Sequence, residues 1–149
     1  MHTEGYFREQ LSVLYKQQDI VDQLLDIREK FNADLLNAQK PRYLKEQLNI
    51  DDGRLQIEYL GRNFIATPRI IKNKDGLFAF EYRFVVEQDG ASHDIWRFYL
   101  FQGGFITKGS DGTEATKISQ LGDDKAYHRI VAVVVNKDVA SSHAAFLNS

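Results

Sequence analysis

Residues 77–101, LFAFEYRFVVEQDGASHDIWRFYLF, decide the fold of this chain. Large apolar side chains occupy alternate positions in two runs, Leu77–Glu87 and His93–Phe101, which are separated by a short polar loop. A period of two predicts β-strands in which one face is buried. The two runs are therefore predicted to form an antiparallel hairpin at the centre of a sheet.

One pairing of these strands brings their bulky side chains together. If Glu87 lies opposite His93, three large pairs face one another, namely Phe84–Trp96, Tyr82–Phe98 and Phe80–Leu100. Each such cross-strand pair contributes about 0.2–1 kcal/mol, whereas a shift by one residue would mix charged residues into this face. We expect this face to be the core, with the register fixed to within an even shift.

The opposite face of the same hairpin carries charge. The register places Arg83 opposite Arg97 and Glu81 opposite Tyr99, with Arg69 on the preceding strand nearby. One interpretation is a solvated face on which the arginines pair with local carboxylates. The other is a ligand or anion site, in which the guanidinium groups hold a carboxylate or phosphate. We favour the solvated face and keep these five residues as binding candidates.

The N-terminal third of the chain has helical periodicity. Between Glu4 and Ala38 there is no proline and one glycine, and apolar residues recur at steps of three and four, which predicts one long helix. A kink, if present, is expected at Gln17–Asp19, where both apolar stripes are interrupted. The first stripe is Phe7, Leu11, Leu14, Val21, Leu25 and Leu35, and the second is Val13, Ile20, Leu24, Ile27 and Phe31.

A straight helix of this length does not fit on the sheet. It would be about 50 Å long at 1.5 Å per residue, whereas five strands span only about 24 Å. Either the helix folds back on itself as a hairpin, or its overhang packs on another chain. We favour an antiparallel helix pair in a homodimer. The interface candidates are Phe7, Leu11, Leu14, Val21 and Leu25.

The remaining elements complete an α+β prediction for a single domain, residues 1–149, with a helical segment over 1–50. A short second helix is predicted over Arg42–Leu48, after Pro41. A curved, mostly antiparallel sheet of five to six strands is expected over 54–136, and a short C-terminal helix over 138–147, capped by Asp138.

Two positions within this plan need comment. Pro68 interrupts a predicted strand over Asn63–Lys72, so that strand is expected to be an edge or to contain a bulge there. Residues 123–136 fit either a strand or a helix. Their β-branched run Ile130–Val135 favours a strand.

Composition excludes several chemistries. The chain has no cysteine, which rules out disulfides and thiolate metal ligands. Its four histidines lack the spacing of a zinc motif, so we expect no metal and no cofactor, and no residue stands out as catalytic. A net charge of -2 makes duplex nucleic acid an unlikely partner. Because the start is polar and the longest apolar run has only six residues, we expect a cytoplasmic protein without a membrane span.

Three functions remain open. The favoured one is a non-enzymatic protein-interaction or adaptor module acting as a homodimer, with a further protein as partner. The first alternative is a small-ligand-binding domain or enzyme with a pocket between the helix and the curved sheet. The second is single-stranded nucleic-acid binding on the Arg83, Arg97 and Tyr99 face, where cations and an aromatic ring lie together.

Overall fold

The computed structural model describes residues 3–39, 46–113 and 117–141. In these residues the chain forms an α+β domain in which two helices accompany a curved antiparallel sheet. The elements are α1 (Thr3–Ala38), β1 (Gln47–Asp51), β2 (Arg54–Tyr59), β3 (Arg62–Lys72), β4 (Phe78–Gln88), β5 (Ala91–Phe101), β6 (Phe105–Thr107), β7 (Lys117–Gln120) and α2 (Lys125–Ala140).

The sheet is a meander of seven strands. Its spatial order is the sequence order, β1 to β7, and each strand is antiparallel to the next. The predicted five to six strands were close to this number. Short connections favour such a topology because antiparallel strands can be joined by tight turns.

The predicted register of β4 and β5 is confirmed over most of the hairpin. Phe84 lies opposite Trp96, Tyr82 opposite Phe98 and Arg83 opposite Arg97. A bulge between Phe84 and Val85 then shifts the pairing by one residue, so that Val85 faces Asp94. The predicted Glu87–His93 pair is therefore wrong, as is the Val85–Ile95 pair that the same register implies. A bulge adds a residue to one strand, and alternation alone does not indicate it.

Helix α1 is continuous through Gln17–Asp19, without the break of a helical hairpin. Its C-terminal half packs on the sheet through the second stripe. There Leu24 and Phe31 are fully buried, and the Phe31 ring lies 5.6 Å from that of Tyr82 and 5.9 Å from that of Phe98. Within the described residues, neither helix is both long and apolar enough to cross a bilayer.

The predicted short helix over Arg42–Leu48 is wrong at its C-terminal end. Residues 47 and 48 belong to β1, which pairs with β2 from Gln47↔Glu58 to Asp51↔Arg54. The side chains of Leu48 and Ile50 point to the core side, while Gln47 and Asn49 are exposed. This alternation within QLNID is a strand pattern. Residues 42–45 lie outside the described residues.

The preference for a strand over 123–136 is wrong, and so is the start of the C-terminal helix at Asp138. The segment is α2, which begins at Lys125 and ends at Ala140. Its buried side chains, Ala126, Tyr127, Ile130, Val131, Val134 and Asp138, recur at helical spacing. Burial against the sheet overrides the β propensity of this run. Of the predicted helix over 138–147, residues 142–147 lie outside the described residues.

Pro68 lies where β3 has one neighbour. The pairing of β3 with β2 ends at Ala66, whereas its pairing with β4 continues to Lys72. From Thr67 onwards this part of β3 is thus an edge, as predicted for a proline-containing strand. Over its first residues β3 is an interior strand.

Candidate interaction surface

Exposed apolar side chains are concentrated on the first half of α1. Of nine exposed large apolar side chains among those the structure describes, five lie between residues 7 and 15. They are Phe7, Leu11, Val13, Leu14 and Tyr15, with 49–65% of each side chain exposed. This half of the helix extends beyond the sheet for about 25 Å, taking residues 3–19 at 1.5 Å each. We call residues 3–19 the projecting half of α1.

The interface candidates lie along one stripe of this helix, which the polar residue Gln18 interrupts. Their spacing of four and three residues along Phe7, Leu11, Leu14, Gln18, Val21 and Leu25 is that of a coiled-coil seam. Phe7, Leu11 and Leu14 are exposed, Val21 is half-buried, and Leu25 is half-buried against the core. The stripe therefore runs from the projecting half into the part of α1 that packs on the sheet.

One position of the stripe is polar. Gln18 occupies the middle of the seam, and its Nε2 donates a hydrogen bond of 2.9 Å to Asp22 Oδ1. Beside the seam lie the exposed side chains of Arg8 near one end and Asp22 near the other. A polar residue at such a position specifies register and the number of helices, at a cost in stability.

A notch of about 440 Å³ continues the stripe where α1 meets the β1–β2 turn. Asn32 is almost fully buried in it, and neither its Oδ1 nor the Arg28 Nε has a hydrogen-bond partner within the described residues. The Arg28 guanidinium lies 5.1 Å from the Phe80 ring centroid, a cation–π contact. It also lies against Gly53, where a Cβ would come within 3.0 Å of Arg28 NH1.

The arginine face forms an ionic network on the outer side of the sheet. Glu81 Oε1 accepts a 2.7 Å hydrogen bond from Arg69 Nε, and Glu81 Oε2 lies 3.9 Å from Arg97. Asp94 lies 3.2 Å from Arg83 Nε and 3.8 Å from Arg97 NH2. The two opposed arginines are thus bridged by a carboxylate that the bulge brings to this face.

Tyr99 takes part in the network through its hydroxyl. Its Oη donates to Glu81 Oε2 at 3.2 Å, and the side chain is 7% exposed. Burial raises the pKa of Tyr99, and the neighbouring Glu81 carboxylate raises that pKa further. Its ring therefore offers little free surface on which a nucleic-acid base could stack.

The space between α1 and the sheet is filled by aromatic side chains. The rings of Tyr82 and Phe98 stack at 4.7 Å, and Phe31 packs on both. The crevice that Phe31 and Leu35 form with α2 has a free volume of about 10 Å³, roughly that of one water. Burial raises the pKa of Tyr82 far above its ordinary value. This packing offers little support for a ligand pocket under the helix.

Side chains cap both outer strands of the sheet. Gln39 Oε1 accepts a 2.6 Å hydrogen bond from the backbone N–H of Leu48 in β1. At the other end, Arg129 NH1 donates to the carbonyl oxygen of Ile118 in β7. Exposed strand edges are common sites for pairing with another chain. These caps occupy one backbone group on each outer strand.

Comparisons of the chain with protein-family models, with curated proteins and with solved structures find no match. Within residues 3–39, 46–113 and 117–141 no group of three or more metal-ligating side chains is arranged to hold an ion.

Sequence reasoning found the stripe but missed two features. The first is the position of Asp94 between the two arginines, which depends on the bulge and is not visible in the alternation. The notch was not predicted at all, since it brings together α1 and the β1–β2 turn. The signal that could have indicated it is Asn32, a polar residue at a seam position of a helix with apolar neighbours.

Proposed function

We propose that this protein is a non-enzymatic interaction module that forms an antiparallel homodimer through the stripe on α1. The observation that carries the proposal is the concentration of exposed apolar side chains on the projecting half of α1. Contiguous apolar surface of this kind is typical of protein–protein contact sites. The dimer then presents two copies of the sheet domain to further protein partners.

The projecting half of α1 gains little stability from the rest of its own chain. In residues 7–19 every side chain except Gln17 is exposed. Helices of about 12–15 residues are marginal in water on their own, and most helical stability in proteins comes from packing of an apolar face. A second helix on the stripe would supply that packing.

A second copy of the chain fits the stripe when it runs in the opposite direction. Pairing Phe7 with the partner's Leu25 places Leu11 opposite the partner's Val21 and Leu14 opposite the partner's Gln18. A two-fold axis then passes close to residue 16, and each contact occurs twice. The overlap of residues 7–25 is about 27 Å long.

Charges beside the seam favour the antiparallel direction. The register brings Arg8 close to the partner's Asp22, and both side chains are exposed. In a parallel pair, Arg8 and Asp22 would instead face the other flank of the partner's seam, where residues 10, 17 and 24 are uncharged. Complementary charges select orientation and partner more than they add affinity.

The notch also suits the antiparallel register. The pairing places the start of the partner's helix, at Thr3, opposite Glu29 at the rim of the notch. The first four N–H groups of a helix have no acceptor within it, and that end carries partial positive charge. The exposed carboxylates of Glu29 and Asp52 are acceptors for such groups.

Size-exclusion chromatography with light scattering tests the proposal on three proteins: the wild type, Leu14→Asp and Ser12→Asp. Leu14 is 57% exposed, so its replacement leaves the core intact. Ser12 lies on the opposite side of the same turns and receives the same charge. We expect a dimer for the wild type and for Ser12→Asp.

For Leu14→Asp we expect a monomer with wild-type circular dichroism of the sheet domain, because the new carboxylate would be desolvated in the seam. A monomeric wild type at tens of micromolar, or equal dissociation by both variants, would contradict the proposal.

A further inference from the structure

The outer face of the sheet contains a groove that is separate from α1. It has a volume of about 350 Å³ and lies over β3 and β4. Its polar lining is Arg69, Arg83, Thr67 and the Glu81 carboxylate, and its apolar lining is Ile65, Pro68 and Val85. Thr67 lies directly opposite Arg83 in the β3–β4 ladder, and Arg69 follows two residues later on the same face. Two cations and a hydroxyl thus surround one opening.

Arg69 and Arg83 each contact a neighbouring carboxylate through Nε, the guanidinium nitrogen nearest the side-chain stem. Arg69 reaches Glu81 through Nε, and Arg83 reaches Asp94 through Nε. Their side chains are 69% and 51% exposed. The terminal amino groups of an arginine carry four further N–H donors, which form the fork that binds oxyanions. These groups are accessible from the groove.

The arginines of the ionic network outnumber its carboxylates. Three arginines, Arg69, Arg83 and Arg97, share the two carboxylates Glu81 and Asp94, which gives an excess of one positive charge. Glu81 is nearly buried and already accepts from Tyr99 as well as from Arg69. Its negative charge is therefore offset mainly by Arg69 and Arg97, which leaves Arg83 with the exposed Asp94.

We infer that this groove binds a small organic oxyanion that carries an apolar group. Arg83 and Arg69 would bind the oxyanion with their terminal amino groups, and the Thr67 hydroxyl would donate a third hydrogen bond. Ile65 and Val85 are half-buried walls against which the apolar part packs. A carboxylate and a phosphate monoester share this chemistry. The inference is independent of the proposed dimer.

Titrations monitored by two-dimensional NMR test the groove, with hexanoate, hexyl phosphate and inorganic phosphate added at constant ionic strength. We expect saturable shifts for backbone amides around Thr67 and Arg83 with the first two probes, and weaker binding of inorganic phosphate because it lacks the apolar part. Tighter binding of hexyl phosphate than of hexanoate would assign the site to phosphate esters, and the reverse order to carboxylates.

Three variants test whether the probes bind in this groove. Arg83→Gln should weaken binding about tenfold or more, because a charge-assisted hydrogen bond is lost. Thr67→Val, which keeps the shape of the side chain, should weaken it less. Lys137→Gln removes the same charge from an exposed position on α2 and should leave it unchanged. Shifts that do not saturate with any probe, or equal affinity for the wild type and Arg83→Gln, would overturn the inference.

Discussion

At the scale of single residues, paired charges connect elements that are far apart in the sequence. Asp138 in the last turn of α2 is 2% exposed and accepts hydrogen bonds of 2.5 and 2.6 Å from Nε and NH2 of Arg62 at the start of β3. Both partners are largely desolvated. Such a pair adds little to folding stability compared with an apolar contact of similar size. Removing one partner is costly, however, because the other charge stays buried.

Replacement of Asp138 by Asn should therefore destabilise the protein by about 3 kcal/mol, because Arg62 loses its counter-charge. Urea unfolding followed by circular dichroism measures the change. Asp124→Asn is the control, since Asp124 is exposed at the N-cap of α2 and its side chain makes no capping hydrogen bond there. An effect of Asp138→Asn no larger than that of the control would show that the pair does not anchor α2.

Tyr99 gives a prediction about pH. Its pKa is raised above 10.0 by burial and by Glu81, so the folded state favours the neutral phenol. The contribution of Tyr99 to stability is therefore complete below pH 10 and is lost as the pH rises through the folded-state pKa. Tyr99→Phe should cost about 1 kcal/mol at pH 7, through the lost hydrogen bond to Glu81.

The difference in free energy of unfolding between the wild type and Tyr99→Phe should become smaller above pH 10. Only the wild type has a phenol at this position that the folded state keeps protonated. Urea unfolding of both proteins between pH 7 and 11 gives the two curves. If the difference in free energy of unfolding stayed constant from pH 7 to 11, the raised pKa of Tyr99 would be contradicted.

At the scale of elements, the sequence predicted α1 and the central hairpin correctly because their periodicities are long and regular. The aromatic face of β4 and β5 is the core, as expected from the pairs Tyr82–Phe98 and Phe84–Trp96. The α2 segment was misread because its β-branched residues outweighed a helical spacing that was already visible. The strand β1 was missed because five residues give a weak alternation.

The projecting half of α1 carries a prediction about local stability. If a second copy covers the stripe, the amide protons of residues 8–18 should exchange more slowly as the protein concentration increases, since association protects them. The amides of β4 and β5 are hydrogen-bonded within the sheet and serve as the internal control. Hydrogen exchange by mass spectrometry at two concentrations measures this. Equal protection of residues 8–18 at both concentrations would argue against association through this segment.

At the scale of the whole molecule, the described surfaces differ in what they offer a partner. The outer face of the sheet carries an ionic network, and side chains cap both outer strands. The projecting half of α1 combines exposed apolar side chains with the spacing of a helix pair. The sequence alone could indicate this stripe from its spacing. The sequence also indicated Arg69, Arg83 and Glu81 as binding candidates, but the shape of their groove and the notch beside Asn32 depend on how separate elements meet.

Disulfide formation between introduced cysteines tests the antiparallel pairing most directly, since the natural chain has no cysteine to interfere. In the proposed register, Gln17 would lie close to the partner's Gln17 near the two-fold axis, whereas Leu11 would lie about 15 Å along the helix from the partner's Leu11. We predict that Gln17→Cys forms a covalent dimer rapidly in a glutathione redox buffer. Leu11→Cys alone and Ser12→Cys should not, while the double variant Leu11→Cys, Val21→Cys should. Efficient linkage of Leu11→Cys alone would indicate a parallel pair, and no linkage of any variant above the Ser12→Cys control would contradict the dimer itself.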